Sequence, residues 1–473
     1  MRFDPWTVIL FEVIGWVILA YMFIIITVYT FMYLVSYRHL RSEKDLNRID
    51  DQADYMEFFY SKPVSILVPA YNEREGVIAS VRSLINLRYP LFEIVVINDG
   101  SSDRTLEILS EEFELFAVEQ TVKKSIPSQS IKQLYKSRIL PNLTVVDKDN
   151  SGKADSLNVG INVCKYPYFC SVDGDSILET DALLKVMKPV INSNEDVVAT
   201  GGNIRVANGC IVEQGIVKEI GLPKNPLAIM QVIEYLRAFL IGRVGLSRHN
   251  MLLIISGAFS VFQKKMVIES GGYETDTVGE DMELVVKMHR KISDENLNKR
   301  ITFVSDPVCW TEVPETAKQL GRQRKRWHRG LTETLFKHKD MAARKKYGKV
   351  GTISLPYFWV IEFFGPIIEF FGYAYLLFTL LTGTLYVELA ILIFASLFLY
   401  GSLFSSTSVL LEAWSISKYS RKRDVTILFF FSLTEIFWYR PLTVFWRMVG
   451  LFQYVMKYRS WGEMKRKGIG KTS

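Results

Sequence analysis

The chain has 473 residues, 49% of them hydrophobic and 13% aromatic, with a formal net charge of +7. That is long enough for a large folded domain and too apolar for a soluble domain alone, so membrane segments are expected beside it. Four cysteines (Cys164, Cys170, Cys210 and Cys309) show no Cys-x-x-Cys spacing and no histidine partner, which argues against a zinc site or a disulfide framework and predicts reduced, mostly buried thiols.

Residues 6–36 are almost continuously apolar, with the single acid Glu12. At about 20 residues per crossing this spans a bilayer once. No small-residue cleavage site follows, so 1–37 reads as an anchor rather than a removed signal peptide. Arg38, Arg41, Lys44 and Arg48 come next, and the positive-inside tendency puts the following domain in the cytoplasm.

Residues 62–315 alternate strands and helices. Val64–Pro69, Phe92–Ile97, Leu143–Val146 and Tyr168–Val172 read as strands. Glu75–Leu87, Arg104–Phe113 and Ala154–Cys164 read as helices. The pattern predicts an α/β domain with a mostly parallel sheet, whose ligand sits beyond the carboxyl ends of the strands. The Lys-, Ser- and Gln-rich stretch 114–142 reads as a long, mobile connection.

The segment 316–350 is basic and amphipathic, including Lys318, Arg322, Arg324, Lys325 and Arg326. It is expected on an anionic membrane face. Residues 351–456 form a second membrane region. Pro366–Leu381 and Leu389–Leu411 are apolar spans, and Thr426–Met456 is broken by Tyr439-Arg440-Pro441, which favours a bent hairpin over one straight helix. A basic cytoplasmic tail, 457–473, closes the chain. The charge is juxtamembrane and no aromatic-basic stripe appears, so a nucleic-acid partner is not expected.

Polar clusters punctuate the domain. Cys170-Ser171-Val172 leads into Asp173-Gly174-Asp175. Residues two apart share a side of a strand, so both carboxylates can converge on Mg²⁺ or Mn²⁺ completed by a diphosphate, or else form a solvated turn. Pro69-Ala70-Tyr71-Asn72-Glu73 and Asn98-Asp99-Gly100-Ser101-Ser102-Asp103 end two strands. Each is either a ligand-facing turn or a helix cap, by Asn72 and Asp103 respectively. Gly152-Lys153-Ala154-Asp155 starts a helix, where a lysine can face a diphosphate, although the P-loop spacing is absent. In Gly279-Glu280-Asp281, Asp281 can accept a proton from an attacking hydroxyl or simply complement the helix field. Gln323-Arg324-Lys325-Arg326-Trp327 can meet phosphate and sugar, or mark an interfacial helix.

These six clusters in this order, between membrane segments, resemble the family 2 glycosyltransferases. The similarity covers roughly residues 60–335 and is greatest to the branch of cellulose, hyaluronan and poly-N-acetylglucosamine synthases. The resemblance implies a GT-A-type nucleotide-sugar-binding domain. It implies that Pro69, Tyr71, Glu73, Asp99, Lys153 and Asp173 bind a UDP-sugar. Asp175, with Asp173, is implied to hold Mg²⁺ or Mn²⁺, and Asp281 to be the general base. Gln323, Arg326 and Trp327 match the Gln-x-x-Arg-Trp pattern of processive members, with Trp327 against the acceptor sugar and Arg326 near the diphosphate. Ser256-Gly257-Ala258-Phe259 departs from the Phe-x-Cys-Gly-type acceptor motif of cellulose synthases, and Cys309-Trp310-Thr311-Glu312 falls where a gating loop would start. The implied activity is inverting sugar transfer from a UDP-sugar to a growing polysaccharide or oligosaccharide at the cell membrane, with export. The bilayer and an accessory membrane subunit are the implied partners. Transfer of one sugar to a lipid, or a non-catalytic scaffold, are the alternatives.

Overall fold

A computed structural model describes residues 5–47, 61–193, 196–382, 387–419 and 421–457. Arg48 and the basic tail after Lys457 lie outside the described residues.

A long helix, α1 (Pro5–Asn47), precedes the α/β domain. The central strands β1 (Val64–Ala70), β2 (Phe92–Asp99), β5 (Leu143–Lys148) and β6 (Tyr168–Val172) are apolar runs buried on both faces, as strands covered by helices must be. They lie parallel in the order β5-β2-β1-β6. Pairing of Ala70 with Asn98 and of Asp99 with Lys148 sets their carboxyl ends side by side. Alternate residues divide the core. Ile66, Val68, Ile94 and Val96 pack with α2 (Val77–Ile85) and α5 (Ala182–Ile191). Leu67, Val95 and Ile97 pack with α4 (Lys153–Val163).

The sheet has ten strands, ordered β3-β4-β5-β2-β1-β6-β11-β8-β12-β7. β8 (Val197–Val206) and β12 (Arg300–Thr311) are parallel, and β11 (Phe259–Gln263) runs antiparallel between β6 and β8. β7 is the short edge strand Ile177–Leu178. The expectation of a mobile connection over 114–142 is overturned. β3 (Leu115–Val118) and β4 (Ile131–Ser137) form an antiparallel pair that extends the sheet beside β5. β3 is short and partly exposed and β4 mixes polar with apolar residues, as suits an edge, so neither reads as a buried strand.

Among the described residues three helices are long and apolar enough to cross a membrane: Glu12–Glu43, Val350–Thr382 and Val387–Ser415. Val350–Thr382 includes α9 (Gly365–Thr382), and Val387–Ser415 joins α10 (Val387–Phe398) to α11 (Phe404–Ser415). The last apolar stretch is two helices, α12 (Lys422–Leu433) and α13 (Tyr439–Val455), separated by a tight turn at Glu435–Phe437. Pro441 lies in the first turn of α13, where a missing N–H is tolerated.

Candidate functional site

One cavity of about 1090 Å³ begins at the carboxyl edge of the sheet. It is lined by Pro69, Tyr71, Glu73, Asp99, Lys153, Asp173, Asp175, Asp281, Gln323, Arg326 and Trp327, so every site residue expected from sequence borders one space. Six segments contribute them: the ends of β1, β2 and β6, the start of α4, the start of α7 (Glu280–Asp294), and α8 (Ala317–Lys337).

At the nucleotide end, Asp99 is 3% exposed. Its carboxylate accepts from the backbone N–H of Ser151 (3.0 Å) and Gly152 (2.8 Å), and from the ammonium of Lys148. Lys148 is fully buried, also reaches Asp155 at 3.2 Å, and is a residue sequence reasoning missed. The available signal is that Asp99 and Lys148 end adjacent strands in register. Asp99 therefore shapes the loop that carries Lys153. Gly152 has a φ of +92°, a left-handed conformation that favours glycine, at the entry to α4. Asn72 does not cap α2. Its side-chain oxygen accepts from the N–H of Ser102 at 2.8 Å and so ties the β1 loop to the β2 loop. Asp103 accepts from the N–H of Thr105 (2.9 Å) at the start of α3 (Thr105–Phe113).

Lys153 donates to Asp173 and to the Gly257 carbonyl at 3.1 Å, and lies 4.0 Å from Glu280. Burial works against its charge, but Asp173 and Glu280 more than offset this and hold the ammonium above its usual range. A side chain at Gly257 would meet Lys153 Nζ at 3.1 Å and Asp281 Oδ2 at 3.4 Å, so this glycine marks the space between them. Asp175 is 6% exposed, beside the more open Asp173. Among the described residues no group of three His, Cys, Asp or Glu could hold a metal. Asp173 and Asp175 thus offer two carboxylates two residues apart in this cavity. That donor set fits a hard divalent cation whose remaining positions go to substrate oxygens and water, rather than an ion caged by protein.

Asp281 lies in the first turn of α7, where its Oδ1 accepts from the N–H of Met282 at 2.8 Å. That turn is held against α8. Gly279 and Gly330 touch so closely that a Cβ on either would lie within 3.0 Å of the other's backbone. Glu333 of α8 accepts from Thr277 Oγ1 (2.8 Å) and from the N–H of Val278 (2.9 Å). On α8, Gln323 is 9% exposed and Trp327 is 43% exposed. Arg324 does not lie on a membrane face as expected. It is 3% exposed and bonded inward to Glu234 of α6 (Pro226–Leu236). The start of a gating loop also needs correction. Cys309 and Trp310 are fully buried in β12, paired with β7 and β8, and the cavity-lining loop begins only after Thr311.

The cavity continues past Trp327 to Tyr29, Tyr357, Glu362, Tyr400, Arg440 and Arg447 in the apolar helices and α13.

The model "Glycosyl transferase family 2" matches residues 65–252, and "Glycosyl transferase family group 2" matches 229–406. The poly-β-1,6-N-acetyl-D-glucosamine synthase of Staphylococcus epidermidis is 31% identical over 277 residues, 58% of this chain and 56% of its own length. The two family matches together span residues 65–406, and over that stretch the chain is similar to family 2 glycosyltransferases. Another such synthase, from Staphylococcus aureus strain COL, is 30% identical over the same shares. The match spans little more than half the length of these curated relatives. A solved mannosyltransferase from Pyrobaculum calidifontis, in complex with GDP-Man and Mn²⁺, aligns over 93% of this chain and 99% of its own. It is 15% identical to this chain, with a TM-score of 0.49. The β1, β2 and β6 ends, the α4 lysine, the α7 acid and the α8 cluster all line one cavity within or beside the matched stretch.

Proposed function

We propose that the protein is an inverting, membrane-integrated glycosyltransferase that adds sugars from a UDP-sugar to a growing polysaccharide and passes the product into its helical region. The observation that carries this reading is the single cavity running from Asp99, Lys153 and Asp173 past Asp281 and Trp327 to Tyr400 and Arg440. A hydrophilic polymer needs polar groups along its route, because unsatisfied polar groups in hydrocarbon are costly, and Tyr29, Tyr400, Arg440 and Arg447 line this one. The relatives' names make UDP-N-acetylglucosamine the first donor to test.

In this reading Pro69, Tyr71, Glu73 and the Asp99-braced loop hold the nucleotide. Asp281 takes the proton from the acceptor hydroxyl. The hydroxyl oxygen bonds to the anomeric carbon as the bond to the diphosphate breaks, and the electron pair leaves on UDP. Lys153 and Arg326 balance the charge that develops there. Asp175 and Asp173 would hold a divalent cation, which supplies further charge stabilisation to the diphosphate. Trp327 offers its exposed ring to the acceptor sugar.

The test is incubation of the purified full chain with Mn²⁺ or Mg²⁺ and radiolabelled UDP-N-acetylglucosamine, UDP-glucose or UDP-glucuronate, followed by electrophoresis. A long product from one donor is expected. Asp281→Asn should bind UDP within twofold of wild type yet lose about 100-fold or more in turnover, the scale of lost general-base catalysis. Products one sugar longer than the acceptor would overturn processive synthesis in favour of transfer to a lipid. Undiminished turnover in Asp281→Asn would remove Asp281 as the base.

A further inference from the structure

Arg324 follows Gln323 in the chain and lies one helical turn before Trp327, yet the Gln-x-x-Arg-Trp pattern leaves its position unspecified. The structure gives it four partners. One guanidinium nitrogen donates to Gln323 Oε1 at 3.0 Å. The other donates to Glu234 Oε2 at 2.6 Å and reaches the Tyr439 hydroxyl at 3.4 Å. Tyr439 donates to the same Glu234 oxygen at 2.6 Å. The guanidinium carbon lies over the Trp327 ring, 4.3 Å from its centroid. Arg324 and Tyr439 are almost fully buried, whereas Trp327 stays open to the cavity.

Two consequences follow from this chemistry. A guanidinium only donates, so its bond to Gln323 selects the amide oxygen and leaves the amide NH₂ as the group Gln323 can offer to a ligand. A planar cation over an indole face also restrains the ring by stacking, which a lysine ammonium cannot do in the same way. Glu234 on α6 and Tyr439 on α13 fix the guanidinium from two other elements.

We propose that the Glu234–Arg324–Tyr439 cluster is a positioning device for the acceptor sugar, in which Arg324 backs the Trp327 ring and sets Gln323 to donate from its NH₂. This rests on the reading of Gln323 and Trp327 as the acceptor site. Arg324 acts through them and not on the reacting atoms.

The experiment uses the full chain in detergent, with the donor sugar identified as above and an oligosaccharide of that sugar as added acceptor. Arg324→Lys keeps the charge and loses the planar stack. It should raise the acceptor KM about tenfold while kcat at saturating acceptor and the UDP-sugar KM stay within twofold of wild type. Tyr439→Phe removes one hydroxyl and should raise the acceptor KM about threefold. In an Arg324→Lys/Trp327→Phe double variant the two acceptor effects should fall well short of multiplying, because one residue acts through the other. An unchanged acceptor KM in active Arg324→Lys, an equal rise in both KM values, or fully multiplicative effects would overturn the proposal. Should Arg324→Lys fail to fold, Tyr439→Phe decides alone, and an acceptor KM equal to wild type would overturn it. A wild-type chain that transfers no sugar would instead sink the functional reading beneath it.

Discussion

Glu280 and Asp281 are adjacent on the first turn of α7, yet only Glu280 is enclosed, at 7% exposure. Burial pushes its carboxyl up from 4.5 to about 7, opposed by Lys153 and reinforced by the charge of Asp281. Between pH 4.5 and 7 the folded chain therefore holds this proton more tightly than the unfolded chain. Ionising Glu280 weakens the fold as pH rises through that window, and the full effect is present above pH 7. Glu280→Gln should raise the thermal midpoint at pH 8 by the equivalent of at most about 3 kcal/mol. The gain should vanish by about pH 4.5. Thermal unfolding of both proteins in detergent at the two pH values checks this, and an equal gain at each would exclude Glu280 ionisation as its source. Asp99, Asp173 and Asp175 were legible in sequence because they follow apolar strand runs, and Lys153 and Asp281 because each stands at a glycine-led helix start. Lys148, Glu234 and Arg324 were not. Lys148 lies 49 positions from Asp99, and Arg324 lies 90 from Glu234 and 115 from Tyr439, so only folding pairs them.

The same distinction governs whole elements. β1, β2, β5 and β6 announce themselves as buried apolar runs, and the alternation of strand and helix around them predicts their parallel order. β4, with the sequence Ile-Lys-Gln-Leu-Tyr-Lys-Ser, does not, because it sits near a partly exposed edge. β11 lies antiparallel within a mostly parallel sheet, a placement that local pattern does not specify. Contact between α7 and α8 is equally invisible in sequence, since it depends on Gly279 meeting Gly330. That contact yields a prediction opposite to helix propensity. Alanine inside a helix is favoured over glycine by about 1 kcal/mol, so propensity alone makes Gly330→Ala stabilising. The structure instead puts the new methyl 2.7 Å from Gly279 Cα, backbone that cannot rotate away. Gly330→Ala should lower the thermal midpoint, by roughly 1–3 kcal/mol if the strain resembles overpacking elsewhere. It should also cut turnover by displacing the turn that carries Asp281. A raised midpoint with full turnover would show that the contact does not position α7.

Across the molecule, ion pairs join the α/β domain to the apolar helices. Arg205 of β8 donates to both oxygens of Glu412 on α11, at 2.8 and 2.5 Å, and both residues are buried. Lys418, just beyond α11, pairs with Glu179 at 2.8 Å. Arg237, one residue past α6, pairs with Glu435 at 3.0 Å, and within the helical region Arg440 of α13 pairs with Glu369 of α9 at 2.7 Å. Such pairs fix geometry more surely than they add stability, because desolvating two charges offsets much of their attraction. The Arg205–Glu412 clasp separates those two effects. Removing one partner leaves a buried charge alone, so Arg205→Met should destabilise the protein by about 3–5 kcal/mol. Removing both charges with residues of similar volume, in Arg205→Met/Glu412→Met, should restore the thermal midpoint to wild type or above. If geometry is what the clasp supplies, the double variant will be stable yet make product more slowly than wild type. If the clasp supplied only stability, product formation would recover together with the midpoint. Paired measurements of thermal unfolding and product length on the single and double variants decide between them. If the proposed processive synthesis holds, the informative outcome is a stable double variant that terminates chains early, because it would tie the seating of the domain on the helices to continued synthesis.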